Sequence, residues 1–441
     1  MTFRTLCLAV SAALLAFATP AEAITNDENN STLPFNFSNP GARSLAMGGA
    51  FLGAADDATA AYTNPAGLTR LGLEQQVSLE LRRNEYDVRY ASGGSFTTNP
   101  FSAAGVRYAR AGETVDEVAF VGWVLPRDRW ALALYRHQLL DYQNAYRTGE
   151  IGFNSPQFPE TFVRGYGATS DLEIVNYGAS FAWNINDALS LGLGISYYDF
   201  DIDTLTERFE LGSTTEVANR QTQSGSDNDL GYTIGLLYRG SDRFSIGLAY
   251  RSAPRFDYRA QSVFFGDGPP LQTADRTSAF RAPDMFGIGF SWRASDQLTI
   301  NLDVNRINYG NLSKQVDDAF LSDEFEEFSD PFLLQQIRAE SVFEPRIGGE
   351  YVFDSMRFPL SLRAGFWQEK SHKLTFVGDP DSINFDDRIA AYAESVLFFP
   401  GDDENHVAVG FGIAFPSFQL DFGYDAADSR DTLSLSGVFR F

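Results

Sequence analysis

The chain ends in Leu433-Ser-Leu-Ser-Gly-Val-Phe-Arg-Phe441, and this stretch decides the fold class. Every second residue is large and apolar or a glycine, and the last residue is aromatic. Successive side chains of a β-strand point to opposite faces. In a membrane-spanning barrel, one face of each strand meets lipid and the other meets a polar lumen. The stretch therefore predicts a final strand that closes a transmembrane β-barrel.

The same alternation recurs along the chain. Leu189, Leu191, Leu193, Ile195 and Tyr197 would share one face of a strand, and the residues between them are small or polar. A period of two over this length indicates a strand rather than a helix. Further copies of the pattern lie at 232–238, 244–250, 286–292, 298–304, 407–415 and 420–424.

One of these copies has a strongly polar second face. Its alternate positions are Thr299, Asn301, Asp303 and Asn305. A packed apolar core would not accept such a row of polar side chains, because burying them without partners is unfavourable. The lumen of a barrel accepts them, so the pattern predicts an all-β membrane protein with a small and polar inner face.

Short and long connections alternate between the strand-like segments. Short turns are expected at 126–129, 184–187, 240–242, 294–296, 354–358 and 416–418. Long polar stretches lie at 83–115, 141–170, 204–227, 259–283, 310–341 and 371–405. Barrels of the outer membrane have short periplasmic turns and longer external loops, which gives about fourteen antiparallel strands here. Residues 103–111 are either an extra hairpin in a loop or part of the second strand.

The N-terminus has the features of a secretory signal. Arg4 precedes a short apolar run over 6–17, and Ala21-Glu22-Ala23 is a small-x-small cleavage site. We expect residues 1–23 to be removed; the alternative is an uncleaved N-terminal helix. The only cysteine, Cys7, lies in this segment, so the mature protein should contain neither a disulfide nor a reactive thiol.

The net charge and the hydropathy restrict the partners. The net charge is −24, which argues against nucleic acid, because binding phosphates requires a basic surface. The acidic excess would suit divalent cations that bridge the protein to anionic lipids, or it serves solubility alone. The expected mature chain has no run of about 18 apolar residues, so we expect no transmembrane helix.

The segment ahead of the first strand differs from the rest of the chain. It lacks alternation and is rich in Ala and Gly from Gly41 to Leu68. Asp56 is a candidate N-cap for a short helix over 57–62 that ends at Asn64-Pro65. A compact segment of small residues before a barrel predicts a plug in the lumen. The expected domains are a signal peptide (1–23), an N-terminal hatch (24–72) and the barrel (73–441).

The motifs of this segment resemble those of the FadL-type outer-membrane transporters of long-chain fatty acids and aromatic hydrocarbons. They are Gly48-Gly49-Ala50, Asp56-Asp57 and Asn64-Pro65-Ala66-Gly67-Leu68. The stretch from Ala282 to Trp292 is similar to the Pro-Asp segment that enters a strand in the same family. The resemblance covers the mature chain in order and spacing. It implies a fourteen-stranded barrel with a helical hatch in its lumen, in the outer membrane of a Gram-negative cell.

The resemblance also implies a route. A hydrophobic ligand is captured by external loops, enters a pocket between hatch and barrel, and leaves after a hatch movement, often sideways where a strand is kinked. It places Asn64, Pro65 and Ala66 beside that kink. The residues expected to gate the lumen are Gly48, Gly49, Asp56, Asp57, Asn64, Pro65, Ala66 and Gly67.

Candidate ligand contacts come from apolar residues in the long loops. Asp330-Pro331 is a helix start, and a helix over 330–340 would present one apolar side that packs either on a ligand, lipid or barrel rim, or on neighbouring loops. The candidate ligand-binding residues are Phe264, Phe265, Phe332, Leu333 and Ile337. The expected partners are a fatty acid or hydrocarbon and the outer membrane with its lipopolysaccharide, and we expect a monomer.

Catalysis and metal binding have little support in the sequence. The three histidines, His137, His372 and His406, lack the spacing of metal ligands, and no nucleophile motif accompanies them. The acidic stretch 378–387 could bind calcium, but its spacing departs from that of an EF-hand, which favours a solvated loop. The sequence therefore predicts no enzyme, no cofactor and no metal. Two functions stay open: transport of hydrophobic small molecules, and a barrel that holds or shuttles a partner protein.

Overall fold

A computed structural model describes most of the chain from residue 39 onward. The described residues are 39–98, 101–102, 104–154, 162–266, 268–312, 337–373, 375–378 and 401–441. The expected signal peptide, the first part of the expected hatch and the candidate calcium loop past Gly378 lie outside these residues, as do Phe332 and Leu333.

Fourteen strands form the wall of the barrel. They are β1 (Gln76–Thr98), β2 (Val106–Pro126), β3 (Trp130–Arg147), β4 (Tyr166–Asn184), β5 (Leu189–Phe209), β6 (Val217–Ser241), β7 (Phe244–Arg251), β8 (Met285–Arg293), β9 (Leu298–Ile307), β10 (Val342–Phe353), β11 (Leu360–Glu369), β12 (Glu404–Ala414), β13 (Phe418–Ala426) and β14 (Arg430–Arg440).

The sheet is antiparallel and closed. Each strand pairs with the next along the chain, and β14 pairs with β1 from Gln76↔Arg440 to Tyr86↔Arg430. Closure leaves no free sheet edge at this seam, which matters because unpaired backbone groups are costly in hydrocarbon. The prediction of a closed barrel of about fourteen strands is confirmed.

The two faces of the strands carry the predicted side chains. Leu193 and Ile195 are 49% and 56% exposed on the outer surface, as lipid-facing residues of an isolated barrel should be. Asn301, Asp303 and Asn305 are buried on the inner face. The alternation in the sequence therefore assigned both faces correctly.

The predicted short turns are present, but several predicted long loops are largely strand. At one end of the barrel, connections such as 127–129 and 185–188 are short. At the other end, β1 and β2 extend through most of 83–115, and residues 106–111 belong to β2. Residues 255–264 and 271–281 form an antiparallel hairpin instead of a loop. In these extensions the inward face carries apolar residues such as Phe256 and Tyr258, but the outward face is polar, as at Asp257 and Arg259. The segments therefore lack the apolar outer face by which the lipid-facing strands were recognised. We call the end of the barrel with the long strand extensions the outer end, and the end with the short turns the inner end.

The described part of the hatch, from residue 39 onward, contains three short helices. They are α1 (Ala42–Leu45), α2 (Ala60–Thr63) and a 3₁₀ helix (Pro65–Arg70). The expectation that Asp56 caps a helix over 57–62 is wrong, because Thr59 is the N-cap of α2 and makes no side-chain cap bond. The carboxylate of Asp57 instead accepts hydrogen bonds from the backbone N–H of Thr59 (2.9 Å) and from its hydroxyl (2.5 Å). Asn64 ends α2, as predicted.

Several short strands lie at the outer end, in addition to the fourteen strands of the wall. They are Phe101–Ser102, Ile151–Asn154, Phe162–Val163, Ile337–Arg338 and Thr375–Phe376. Ile337–Arg338 pairs with Thr375–Phe376, so the helix predicted over 330–340 does not extend through Ile337. Residues 330–336, the rest of that helix, lie outside the described residues. Within the described residues, no helix is long and apolar enough to cross a membrane.

Candidate functional site

The hatch lies inside the barrel because glycines on the inner faces of the strands make room for it. A Cβ atom on Gly192 would lie 2.1 Å from the backbone nitrogen of Ala66, and one on Gly247 would lie 2.0 Å from the carbonyl oxygen of Leu52. Glycine in a strand interior often marks such a close approach of another backbone. The hatch is therefore in direct backbone contact with the wall.

Inward-facing polar side chains hold the hatch backbone. The carboxylate of Asp303 accepts hydrogen bonds from the backbone N–H groups of Phe51 (2.7 Å) and Leu52 (2.8 Å). The hydroxyls of Ser180 and Ser245 donate to hatch carbonyls at 2.6 and 2.8 Å. Most of these bonds satisfy backbone groups of the turn at residues 51–53 between α1 and α2, and the bond from Ser180 reaches Ala61 in α2.

A chain of ion pairs anchors the inner end of the hatch. The guanidinium of Arg43 lies 2.5 Å from Asp56 and 2.9 Å from Glu350 of β10. Glu350 also pairs with Arg363 of β11 at 2.7 Å, and Arg363 pairs with Asp421 of β13 at 2.7 Å. Every charge in this chain has a partner of opposite sign, as buried charges require.

The predicted gating residues all lie in this hatch. Gly48 and Gly49 have φ of +63° and +74°, a left-handed conformation that favours glycine. A Cβ on Gly67 would lie 2.1 Å from the carbonyl oxygen of Ala55, and Pro65 and Ala66 are in the 3₁₀ helix. Their role in gating stays a prediction.

Asn64 contacts both the hatch and one strand of the wall. Its side-chain amide donates to the carbonyl oxygen of Leu52 (3.0 Å) and to that of Leu236 in β6 (3.3 Å). At Leu236, β6 is regularly paired with both β5 and β7. Asn64 thus links the hatch turn to a regularly paired part of β6, and its expected role beside a kinked strand stays a prediction.

An apolar cluster fills the lumen between the hatch and the outer end. We call it the upper cluster. Its larger buried members are Leu139, Leu140, Tyr142, Leu172, Ile174, Tyr198, Phe200, Ile202, Phe256, Tyr258, Phe280, Met285, Ile307 and Tyr309. Phe200 stacks on Phe256 and on Phe280, with ring centroids 4.6 and 5.7 Å apart. Such a surface can hold an apolar solute.

Sequence reasoning missed the upper cluster and chose other residues. Phe264 and Phe265 are half-buried at the tip of the outer hairpin, where Arg220 lies over the ring of Phe265 at 5.4 Å. Neither belongs to the upper cluster. The missed signal was apolar residues on the inner face, such as Phe200 and Ile202, which interrupt the polar row where β5 passes the hatch.

A second apolar cluster joins the hatch to the wall. Tyr62 of α2 stacks on His137 of β3 with ring centroids 4.2 Å apart, and Phe120 of β2 stacks on Tyr135 at 5.9 Å. Tyr62 also meets Tyr135 edge to face at 6.1 Å. Tyr62 thus contacts β3 through two aromatic rings.

The barrel wall is interrupted beside this second cluster. The pairing of β2 with β3 runs from Pro126↔Ala131 to Phe120↔His137 and then stops, although β2 continues to Val106 and β3 to Arg147. The β1–β2 ladder skips Ala119, and the β3–β4 ladder skips Leu139, which makes a bulge in each strand at the same height. Leu139 is also part of the upper cluster, so the cluster reaches the interruption.

An apolar groove and one cation lie on the outer side of the barrel next to the interruption. The guanidinium of Arg136 donates to the carbonyl oxygen of Val118 on the free edge of β2. A groove of about 610 Å³ on the outer surface flanks this point and is lined by Val121, Trp123 and Leu134, among others. The groove is therefore apolar on the outer surface of the paired part of β2 and β3, whereas Glu117 and Gln138 beside the free edges are polar and hydrogen-bonded.

The histidines do not come together. His406 lies between the carboxylates of Glu369 (3.2 Å) and Asp425 (2.9 Å) in the wall, whereas His137 faces the hatch and His372 stacks on a tyrosine at the outer end. In the part of the chain that the structure describes, no group of three or more acidic, His or Cys residues could hold a metal ion.

A closed barrel with a wedged hatch, an apolar upper lumen and an interrupted wall defines a class of membrane proteins that pass solutes through a plugged pore. The family model for outer membrane protein transport proteins (OMPP1/FadL/TodX) matches residues 31–371, and the chain belongs to this family. This places the chain with transport proteins of the outer membrane rather than with barrels that only hold a partner.

Several solved structures share the fold of this chain. A FadL homologue of Pseudomonas aeruginosa superposes with a TM-score of 0.61 at 13% identity, covering 91% of this chain and 98% of that one. The toluene transporter TbuX of Ralstonia pickettii gives 0.59 at 16% identity, covering 92% and 100%. The toluene transporter TodX of Pseudomonas putida gives 0.55 at 14% identity, covering 93% and 99%. No curated protein sequence matches the chain.

Proposed function

We propose that the protein takes up hydrophobic small molecules across the outer membrane and releases them sideways through its wall. The observation that carries the proposal is the end of β2–β3 pairing at Phe120↔His137, beside the upper cluster. A solute with fatty-acid-like or hydrocarbon character would enter from the outer end, cross the upper cluster and leave between β2 and β3.

The physical reason for a lateral route is the hatch. Its backbone touches inner-face glycines such as Gly192 and Gly348, and its ion pairs close the inner end of the lumen. An axial exit would have to break these contacts. A lateral exit only has to move Tyr62 and the bulges at Ala119 and Leu139, and it delivers an apolar solute to lipid without crossing water.

A reversible crosslink across the interruption tests the route. Val118→Cys and Gln138→Cys place one thiol on each free edge, and bismaleimide or cleavable disulfide reagents join them. The expected mature chain has no other cysteine, since Cys7 lies within residues 1–23. In cells that lack the native protein, we expect the joined double variant to lose uptake of radiolabelled laurate and toluene, and to regain it after cleavage of the linker.

The matched control joins the same two strands where they are paired. Leu125 and Leu132 lie directly opposite each other on β2 and β3. Joining Leu125→Cys to Leu132→Cys should leave uptake unchanged. Full uptake with the upper link closed would exclude the lateral route. If cells with the wild-type protein take up neither solute faster than cells without it, the proposal of hydrophobic transport is wrong. The alternative, a barrel that holds or shuttles a partner protein, would then gain support.

A further inference from the structure

Three arginines from three elements meet at the inner end of the lumen. Arg70 ends the 3₁₀ helix of the hatch, Arg239 lies near the end of β6, and Arg293 is the last residue of β8. On the lumen face, Ser245 of β7 lies opposite both Arg239 and Ser291. Arg293 follows Ser291 on the same face of β8. The guanidinium of Arg70 lies 3.5 Å from the hydroxyl of Ser245, which places it between the two wall arginines.

Like charges are close together in this group, although the chain as a whole carries a net charge of −24. Burial is the main reason why the pKa of Arg70 lies below its ordinary value. The nearby cations Arg239, Arg43 and Arg293 lower this pKa further. Asp56 acts in the opposite direction, but its carboxylate also lies 2.5 Å from the guanidinium of Arg43. An additional anion would therefore reduce the repulsion in this group.

The hatch uses one nitrogen of the Arg70 guanidinium. Nη1 donates to the carbonyl oxygens of Ala54 (2.7 Å) and Gly53 (3.3 Å), and the contact with Ser245 involves the same nitrogen. Arg70 is thus bound to the hatch turn that lies against β7. An anion shared between Arg70 and the two wall arginines would tie this turn to β6 and β8 as well.

We propose that Arg70, Arg239 and Arg293 bind a phosphate group that enters from the periplasm, and that the bound phosphate holds the hatch against the wall at the inner end. A tetrahedral phosphate presents oxygens in several directions and carries about two negative charges at pH 8. It can therefore accept hydrogen bonds from guanidinium groups that approach from three elements. A planar carboxylate instead matches a single guanidinium, in two parallel bonds.

The aqueous side is the source of this phosphate, rather than the bilayer. Tyr238, Phe244 and Trp292 are exposed on the outer surface of the same three strands and alternate with the serine and arginine positions. The arginines consequently face the lumen, and a phospholipid headgroup would have to enter the barrel to reach them. Inorganic phosphate and phosphate monoesters meet no such barrier. The inference goes beyond the transport proposal, because it does not depend on which solute crosses the barrel.

Binding of inorganic phosphate to the purified mature protein tests the inference. Radiolabelled phosphate would be dialysed against the protein in dodecyl maltoside at pH 8, with sodium chloride adjusted to keep the ionic strength constant. We expect saturable binding of one phosphate per chain. Arg239→Gln and Arg293→Gln should each weaken binding by about 10- to 100-fold, because each removes a hydrogen-bonded charge. Arg293→Lys should retain part of the affinity.

The matched control removes the same charge from the same end of the barrel. Arg357 is exposed in the turn between β10 and β11, where it lies over the ring of Phe358 at 5.2 Å. Arg357→Gln should bind phosphate as tightly as the wild type does. Phosphate should also slow hydrogen exchange in residues 50–70 of the wild type but not of Arg293→Gln, because a ligand stabilises the state that binds it.

Four outcomes decide the proposal. Unchanged phosphate binding in both Arg239→Gln and Arg293→Gln would overturn the site. Equal protection of the hatch by chloride and phosphate at one ionic strength would reduce the effect to general screening and would also overturn it. In nanodiscs of phosphatidylcholine with and without phosphatidylglycerol, protection that requires phosphatidylglycerol would make the bound group a lipid headgroup and the aqueous source wrong. If a Gln variant failed to assemble, the wild-type titration and Arg293→Lys would decide.

Discussion

At the scale of single residues, the inner and outer faces of a strand require different side chains. Leu193 faces outward and is half-exposed, while its neighbour Gly192 has the hatch backbone directly above it. The outer position requires an apolar side chain because lipid cannot solvate a charge. The inner position requires the absence of a side chain because Ala66 occupies the space.

Leu193→Arg should therefore destabilise the barrel by about 2–4 kcal/mol, the cost of a cation near the middle of the bilayer. The measurement is urea unfolding of protein refolded into lipid vesicles. Leu211→Arg, at an exposed position in the connection between β5 and β6, is the control and should cost less than about 0.5 kcal/mol. Equal stability of the Leu193→Arg variant and wild type would mean that this face does not contact lipid at that depth.

At the scale of elements, the hatch depends on the barrel for its structure. Its α-helices α1 and α2 have four residues each, far below the length at which an isolated helix is stable. The hatch keeps its conformation because Asp303, Ser180 and Ser245 bind its backbone and because Arg43 is paired with Glu350. Loss of one anchor should free the hatch without unfolding the wall.

Arg43→Met tests this dependence. It removes the cation of Asp56 and one of the two cations of Glu350, which keeps Arg363, so the cost should fall below about 3–5 kcal/mol, the cost of a fully uncompensated buried pair. We expect faster hydrogen exchange and proteolysis within residues 41–70, while the folded barrel still migrates differently from the boiled one on a gel. Arg83→Met, which removes an exposed pair with Asp116, should change neither. An unaltered exchange rate in the hatch of Arg43→Met would show that the ion pairs do not anchor it.

The interrupted β2–β3 pairing is the other feature at this scale. Free strand edges are rare in lipid because their backbone groups lack partners. Here, Arg136 covers the carbonyl oxygen of Val118, and bulges at Ala119 and Leu139 turn the two edges away from each other. The interruption is therefore a built feature of both strands, since an accidental fraying would not place a bulge in each.

At the scale of the whole molecule, the hatch decides whether the barrel is a carrier or an open pore. A fourteen-stranded wall lies between the small barrels filled by side chains and the porins that enclose a water channel. Without the hatch, the polar inner face that carries Asn301, Asp303 and Asn305 would line water.

Deletion of residues 24–72 should therefore give a barrel that still assembles and is heat-modifiable but conducts ions through a wide channel. Single-channel recording in planar bilayers measures this, with the full mature chain as the reference of low conductance. If the barrel without the hatch had an ion conductance as low as that of the full mature chain, the upper cluster alone would seal the lumen. Recovery of the full chain as a water-soluble periplasmic protein would contradict the barrel altogether.

The sequence by itself determined the barrel, the strand number and the direction in which each alternating residue points. These follow from local rules: a period of two assigns faces, and turn residues at one end set the strand count. The small residues of 41–68 also indicated a plug, and Gly192 belonged to the predicted lumen face.

Only the tertiary structure decided which residues meet inside. Arg43 and Glu350 are 307 residues apart in the chain, and Tyr62 finds Arg251 and His137 on two different strands. Such contacts depend on the register of all fourteen strands and on how the hatch sits in them, which no local pattern encodes. For the same reason, the upper cluster and the end of pairing at Phe120↔His137 could be found only once the wall was closed.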